Sequence, residues 1–266
     1  MQFRRRIIFE LERLRRKNLQ QLHPLQQLFW ESTLRCNVHC LHCGSDCSSS
    51  ELTPDMPAED FLRVIDQSVT PHVDPHKVMI IISGGEPLMR TDLAQVGKAL
   101  KQRGYPWGMV TNGMALTPKR FEALLKAGLR SVSVSFDGFE PIHNAIRQNP
   151  LSYERALAAL RLIRDSGIAY DAITCVTPEL VSRLDEWKEL LISEGIKNWR
   201  IFSIFPAGRA KRDDKLHLSA EDFRRVMEFI RTTRREGRIN LSYACEGFLG
   251  GYESEVRDHF YMCAAG

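Results

Sequence analysis

The sequence of 266 residues lacks several features that would assign it at once to a class of protein. It contains no apolar run that approaches the roughly 18–20 residues of a membrane-spanning helix. The apolar stretch near its start, residues 7–9, is far too short for the hydrophobic core of a secretory signal. We also find no low-complexity segment and no short-period repeat. Without an export signal, the cytoplasm is the expected compartment, where disulfides are rare.

The sequence also has little excess of charge. Its net charge of +4 is mild for its length and does not by itself indicate a nucleic-acid partner. The basic residues are concentrated at the start, where residues 1–17 carry seven Arg and Lys. We predict a basic amphipathic helix within residues 1–27 that lies on the domain, with an acidic partner or a membrane surface as the alternative. Nucleic-acid binding through residues 4–17 lacks the interleaved aromatic residues that would support it.

From residue 28 onward, short β-rich runs alternate with longer helical patterns. The predicted strands are 28–34, 77–83, 107–111, 131–136, 170–176 and 199–205. The predicted helices are 58–69, 93–103, 118–127, 153–165, 178–194 and 220–235. Capping residues and terminal glycines mark most of these helix ends.

Six strand–helix units in succession predict an α/β protein with a parallel sheet. The near-continuous apolar run at 78–82 indicates a strand buried on both faces, whereas residues 131–136 alternate as a barrel strand does. An open doubly wound sheet and a partial barrel both fit this pattern. In either fold, ligands bind at the carboxyl ends of the strands.

Four of the seven cysteines fall within twelve residues, 36–47, directly after the first predicted strand. Structural zinc usually takes pairs of ligands from two separate segments, and no second pair lies nearby. A disulfide is disfavoured by the compartment, and free thiols of a core do not usually cluster in this way. An iron–sulfur cluster fits best, because three cysteines can hold three irons of a [4Fe–4S] cluster and leave the fourth iron open.

Several short motifs at successive strand ends resemble those of the radical S-adenosylmethionine (SAM) superfamily. The spacing Cys36-x₃-Cys40-x₂-Cys43 is similar to the cysteine signature of that superfamily. Ser-Gly-Gly-Glu-Pro follows at 83–87, Thr-Asn-Gly at 111–113, and Ser-Phe-Asp-Gly at 135–138 with His-Asn-Ala-Ile-Arg at 143–147. The resemblance covers about residues 28–240. It implies a partial (βα)₆ TIM-like barrel, and we assign residues 28–237 to this core domain.

The resemblance also implies a chemistry. Cys36, Cys40 and Cys43 are implied to ligate the cluster, whose open iron chelates the methionyl end of SAM. One electron, from a reductant such as flavodoxin or ferredoxin, then cleaves SAM to a 5′-deoxyadenosyl radical that abstracts hydrogen from a substrate. Cys47 is not expected to be a ligand, because a fourth thiolate would close the reactive iron.

A further set of residues is implied to contact SAM. These residues are His42, Gly84, Gly85, Glu86, Asn112, Ser135 and Arg147. Each also has a purely structural alternative, such as a surface histidine, a strand-ending turn or a helix-surface arginine. No catalytic acid, base or hydrogen donor can be assigned, and Cys175 is interpreted as an ordinary buried thiol.

Residues 238–266 break the strand–helix rhythm and carry Cys245 and Cys263. They resemble the opening of an auxiliary iron–sulfur domain of the SPASM or twitch type, in which these two cysteines would be cluster ligands. Two cysteines cannot complete such a cluster, so we expect that the chain is a fragment, with a vestigial auxiliary domain as the alternative. This tail predicts an enzyme that modifies a peptide or protein. Small-molecule or cofactor biosynthesis is the alternative, and a non-catalytic four-cysteine metal-binding or redox-sensing module is the alternative of another class.

Overall fold

The computed structural model describes residues 2–22, 24–245 and 247–258. Seven parallel strands form one sheet whose order follows the sequence, so β1 and β7 are its two edges. The strands are β1 Gln27–Glu31, β2 Met79–Ser83, β3 Trp107–Thr111, β4 Leu129–Ser135, β5 Ala169–Val176, β6 Asn198–Ser203 and β7 Asn240–Tyr243. Each strand pairs only with its sequence neighbours, which is the result of repeated right-handed strand–helix–strand crossovers.

Helices connect most of the strands and cover the sheet. They are α1 Gln2–Leu22, α2 Ala58–Val64, α3 Leu93–Gln102, α4 Pro118–Lys126, α5 Glu140–Arg147, α6 Ser152–Arg164, α7 Pro178–Val181, α8 Leu184–Ser193 and α9 Ala220–Glu236. The side chains of Thr117, Thr177 and Ser219 each accept a hydrogen bond from a backbone N–H of the first helical turn. These caps satisfy donors that a helix start leaves unpaired, which fixes where the helices begin.

The strand pattern explains where the core lies. In β2, Ile80 and Ile82 are fully buried against the helices, while Ile81 between them is half-buried on the inner face. Trp107, Trp187 and Trp199 are also fully buried. The core therefore lies between the sheet and the helical layer, and the inner face is left for the site.

Most of the elements agree with the sequence-based expectations, and four differ. The predicted helix 58–69 ends in a π-helical turn, Ile65–Val69, and the predicted helix 178–194 is divided into α7 and α8. Helix α5 and strand β7 were not predicted. Because β7 pairs with β6, the sheet extends beyond the expected boundary at residue 237.

Residues 2–22 form the predicted N-terminal helix, α1. Phe9 on this helix makes an edge-on contact with Phe248, with ring centroids 6.0 Å apart. Phe3 and Leu11 are 76% and 61% exposed, so these two apolar side chains of α1 are largely uncovered. None of the described helices is both long and apolar enough to cross a lipid bilayer.

Candidate active site

The four clustered cysteines lie in one closed loop at the carboxyl edge of the sheet, which we call the cysteine loop (residues 36–47). A backbone bridge between Arg35 and Ser48 closes its base, where Cys36 N donates to Ser48 O at 3.0 Å. Cys36, Cys40 and Cys47 are buried and Cys43 is half-buried. The four cysteines therefore belong to one cluster of buried and half-buried side chains.

The glycine motif after β2 holds the entrance of the cysteine loop. Gly85 N donates to Thr33 O at 2.7 Å, and Glu86 N donates to Arg35 O at 2.9 Å. At Gly84, which has a φ of +131°, a Cβ would lie 2.3 Å from Thr33 O. Only glycine tolerates this conformation and this approach. The two glycines thus admit the backbone of residues 33–35, and their predicted contact with SAM remains a prediction.

Glu86 fastens the ends of β2 and β3 to each other. Its carboxylate is fully buried and accepts hydrogen bonds from Leu88 N, Thr111 Oγ1 and Asn112 N at 2.7–3.0 Å. Burial raises the pKa of this carboxyl, and the three donors act in the opposite direction. Glu86 therefore has a structural function, and its contact with SAM remains a prediction.

Asn112 lies beside the first cysteine of the loop. Its Nδ2 donates to Asn37 Oδ1 at 2.7 Å and lies 3.8 Å from Cys36 Sγ. Its Oδ1 accepts from Met114 N at 2.9 Å, which fixes the orientation of the amide. Asn112 can therefore orient Cys36 and donate toward its sulfur.

Arg147 is paired with a residue that the sequence analysis had not assigned to the site, Asp137. Arg147 Nε and Nη2 both lie 2.7 Å from Asp137 Oδ2, and Asp137 Oδ1 accepts from Cys175 N at 2.9 Å. Burial alone would raise the pKa of Asp137, but the charge of Arg147 lowers it to about 2. Ser135 is half-buried at the end of β4. Asp137 thus fixes the arginine that is predicted to face the SAM carboxylate.

His42 has the least satisfied side chain of the site. It is 9% exposed, and its Nε2 lies 3.8 Å from Asp137 Oδ2. Its Nδ1 is buried and has no hydrogen-bond partner among the described residues. Burial lowers the pKa of His42 to about 4, so the ring is neutral near pH 7. A buried polar atom without a partner is rare in folded proteins and indicates a ligand that binds next to it.

His42, Asp137 and Cys175 form a group whose possible metal-ligating atoms lie within 4.8 Å of one another. A cation there would be close to the guanidinium of Arg147, which already occupies Asp137 Oδ2. We therefore interpret the group as a polar network. Within the described chain, no three thiols of the cysteine loop form a group whose sulfur atoms all lie within 4.8 Å of one another.

Cys47 differs from the other thiols of the loop. Its Sγ donates to Ser45 O at 3.8 Å. Burial, with the neighbouring Cys43 and Cys36 thiols, raises the pKa of Cys47 to about 12, compared with about 11 for Cys36. Metals bind the thiolate, so both thiols would have to lose a proton to act as ligands. That Cys47 is not a ligand remains a prediction.

Arg209, like Asp137, belongs to the site and was not predicted from the sequence. It is 5% exposed, and it reaches from the segment after β6 into the cysteine loop, 169 residues earlier in the chain. No local motif marks it, because the sequence shows only a basic residue after a glycine. Arg209 reaches the cysteine loop because β6 lies in the same parallel sheet as β1, so that the segments after both strands lie at the same edge of the sheet.

The comparison with known families decides what this arrangement is. Residues 30–191 match the Radical SAM superfamily. The chain belongs to this superfamily. Its members are enzymes that use a [4Fe–4S] cluster and SAM, as the motifs predict.

Several proteins resemble this radical SAM chain in sequence. It is 29% identical to the AdoMet-dependent heme synthase of Methanosarcina barkeri, over 87% of this chain and 68% of that protein. It is 26% identical to the pre-heme d1 synthase of Dinoroseobacter shibae, over 88% of this chain and 57% of that protein. The chain thus spans only part of each relative.

Solved structures share the fold. Streptococcus suis SuiB bound to SAM superposes with a TM-score of 0.66 at 17% identity, over 88% of this chain and 54% of SuiB. The protein anSMEcpe with bound AdoMet superposes with a TM-score of 0.69 at 17% identity, over 82% of this chain and 63% of that protein. The predicted α/β partial barrel is thereby confirmed.

The site fits the two radical SAM cofactors on its own geometry. Three thiols of one loop can each bind an iron, and the unpaired Nδ1 of His42 and the fixed guanidinium of Arg147 lie in the same compartment. The histidine nitrogen can form a hydrogen bond with a nucleoside, and the guanidinium can pair with a carboxylate.

The described part of the chain gives no support for a cluster at the two cysteines of the C-terminal segment, Cys245 and Cys263. Cys245 is buried in the core, where its Sγ accepts from Ser203 N at 2.9 Å and donates to Ser203 O at 3.7 Å. Cys263 lies outside the described residues. Their function as auxiliary-cluster ligands therefore remains a prediction.

Proposed function

We propose that Cys36, Cys40 and Cys43 hold a [4Fe–4S] cluster at which SAM is reductively cleaved, and that the radical produced abstracts hydrogen from a substrate. The observation that carries this proposal is the closed loop of clustered thiols beside the buried, unpaired Nδ1 of His42. When bound, the cluster and SAM supply the one-electron chemistry. The protein supplies ligands, orientation and a compartment from which water is excluded.

The residues around the loop share these tasks. Asn112 orients Cys36, and Glu86 fastens the strand ends on which Asn112 stands. Asp137 holds Arg147 in place, so that the free edge of the guanidinium is available to a carboxylate. Neutral His42 offers Nδ1 to a polar group of the nucleoside.

For the substrate, we place a heme-type tetrapyrrole first. The relatives described above are named for heme or pre-heme d1 and match more than four fifths of this chain. Phe205 supports this class, because it is 69% exposed in the segment that reaches the cysteine loop and could stack on a flat ring. A small-molecule substrate is the class that the sequence analysis had placed second.

A peptide or protein substrate is the second candidate. It is favoured by the cysteine-bearing tail and by the structure of SuiB bound to the precursor peptide SuiA, which shares the fold at 18% identity. That likeness supports the fold, and the peptide itself belongs to SuiB.

The cleavage reaction can be tested with the chain alone. After anaerobic reconstitution with iron and sulfide, SAM and dithionite should yield 5′-deoxyadenosine, and Cys40→Ala should yield none. A protein that loads iron and binds SAM, but forms no 5′-deoxyadenosine, would refute the proposed activity.

The substrate class can be tested with the longest available form of the protein. Fe-coproporphyrin III, named in a Methanosarcina barkeri relative at 27% identity, serves as the tetrapyrrole probe. We expect that it increases 5′-deoxyadenosine formation and is itself changed in mass. A mass change in a peptide encoded beside the gene, with no change in the tetrapyrrole, would favour the second candidate.

A further inference from the structure

The segment after β6 lies in close backbone contact with the cysteine loop. The turn Gly208–Arg212 follows β6, and a Cβ on Gly208 would lie 2.4 Å from Cys43 O and 2.5 Å from Gly44 O. Gly208 has a φ of +54°, which also favours glycine. We call residues 208–209 the strap, because they cross the cysteine loop and lie against it.

Arg209 makes four hydrogen bonds to the cysteine loop. Its backbone N donates to Cys43 O at 2.9 Å, and its Nε donates to Cys40 O at 2.7 Å. Its Nη1 donates to Cys47 O at 2.9 Å and to Asp46 Oδ1 at 2.8 Å. Two of the three carbonyls belong to predicted cluster ligands. The strap therefore fixes the backbone on which those two ligands stand.

The charges around the strap are unequally buried. Arg209 is 5% exposed, whereas the side chain of Asp46 is 49% exposed. Arg212 also lies near Asp46, at 3.5 Å, but its side chain is 72% exposed. A buried charge acts through a lower dielectric than an exposed charge, which water and salt screen. The positive charge of Arg209 is thus only partly offset at the thiols.

A fixed positive charge beside a cluster favours its reduced form, because reduction adds an electron. Hydrogen bonding and charge outside the ligands are established means by which proteins set such potentials. We propose that Arg209 is a positioning residue with two effects: it fixes Cys40 and Cys43 through their carbonyls, and it raises the reduction potential of the cluster. This inference rests on the proposed cluster site.

The test measures the midpoint potential of the reconstituted cluster by EPR-monitored titration. At a fixed solution potential, Arg209→Gln should lower the ratio of reduced to oxidised cluster about tenfold, which corresponds to about 59 mV for one electron. Asp46→Asn removes the counter-charge and should shift the potential the opposite way. Arg212→Gln is the matched control, because it removes a neighbouring but exposed charge, and it should leave the potential unchanged.

Two further arms separate charge from folding. Arg209→Lys keeps the charge and loses the forked donors, so it should bind less iron while its loaded fraction keeps a potential near that of the wild type. If Arg209→Gln fails to load, Asp46→Asn still decides the effect of charge. Unchanged potentials in both Arg209→Gln and Asp46→Asn would overturn the inference. A wild-type chain that binds no iron would overturn the proposed function itself.

Discussion

Two cysteine-bearing loops of this chain are each held by a buried arginine, and they differ in what the sulfur atoms do. In the cysteine loop, Arg209 donates to Cys40 O and Cys47 O. In the C-terminal segment, Arg257 is fully buried and donates to Cys245 O at 2.8 Å and to Gly247 O at 2.6 Å. The two arginines therefore make the same kind of contact, in which a buried guanidinium donates to backbone carbonyls.

The thiols distinguish the two loops. The sulfur of Cys245 is enclosed in the core and bonded to both backbone groups of Ser203. The cysteine loop instead gathers four thiols beside the unpaired Nδ1 of His42. A buried arginine on loop carbonyls thus indicates an ordered loop. Clustered thiols with a polar group left unsatisfied indicate a ligand site.

The largest expected contrast between the loops is in iron binding. Cys40→Ala should abolish the bound iron and the charge-transfer absorption after reconstitution, because it removes one of three ligands. Cys245→Ala should retain both signals. Cys47→Ala is the control within the cysteine loop and should also retain them. Loss of iron in Cys47→Ala would instead support a closed four-thiolate site.

The second contrast is in stability. Arg257→Met leaves the carboxylate of Glu253, whose side chain is fully buried, without its partner. Breaking a buried ion pair in this way costs about 3–5 kcal/mol, and we expect a loss of that size in denaturant unfolding. Adding Glu253→Gln should recover part of it. Iron loading should stay near the wild-type level, and a parallel fall in iron would show that the two loops are coupled.

A third, smaller contrast concerns two glycines with positive φ. Gly84→Ala places a methyl group 2.3 Å from Thr33 O, whereas at Gly247, with a φ of +99°, no atom of the described residues lies within 4 Å of the added group. We expect Gly84→Ala to cost about 2–4 kcal/mol and Gly247→Ala about 1 kcal/mol of unfolding free energy. Equal costs would mean that the backbone at the loop entrance can move apart freely.

The smallest expected effect is a loss of stability in acid, which comes from a buried histidine beside Asp137. Burial lowers the pKa of His143 to about 4, and its Nδ1 accepts from Asp137 N at 3.0 Å. As the pH falls below about 6.5, the unfolded chain binds the proton first, so stability decreases toward acid. From about pH 7 to about 5.5 this histidine should remove about 1 kcal/mol.

The control for this prediction is His143→Gln, measured by denaturant unfolding at both pH values. The variant should show a shallower loss than the wild type. His42 adds a slope of the same sign in both proteins, so it cancels in the difference. An equal slope in the two proteins would contradict the buried, neutral state of His143.

The sequence predicted the repeating elements because their patterns are local. All six predicted strands exist, and the β3 bounds of 107–111 agree fully with the structure. Helix α5 was not among the predicted helices, although Glu140–Arg147 has a strongly amphipathic pattern. The motif at 135–147 was interpreted mainly as a ligand site, and a helix entered only as the structural alternative for Arg147. Strand β7 was missed because its four residues are too short for a period to be recognised.

The site was predictable as far as its motifs are contiguous. The cysteine spacing and the short motifs at the strand ends were sufficient to predict the superfamily and its cofactors from the sequence. The partners of those residues were not predictable, because Glu86 with Thr111, Arg147 with Asp137, and Arg209 with Cys40 meet only in the fold. Single polar residues after a strand carry no local signal of what they will contact.

The strap is synthesised much later than the cysteine loop that it contacts. Each strand pairs only with its sequence neighbours, so a chain leaving the ribosome can add the units one after another. The cysteine loop follows the first strand, but Arg209, which locks it, emerges 169 residues after Cys40. The strap therefore reaches the cysteine loop only after the strands between them have been made.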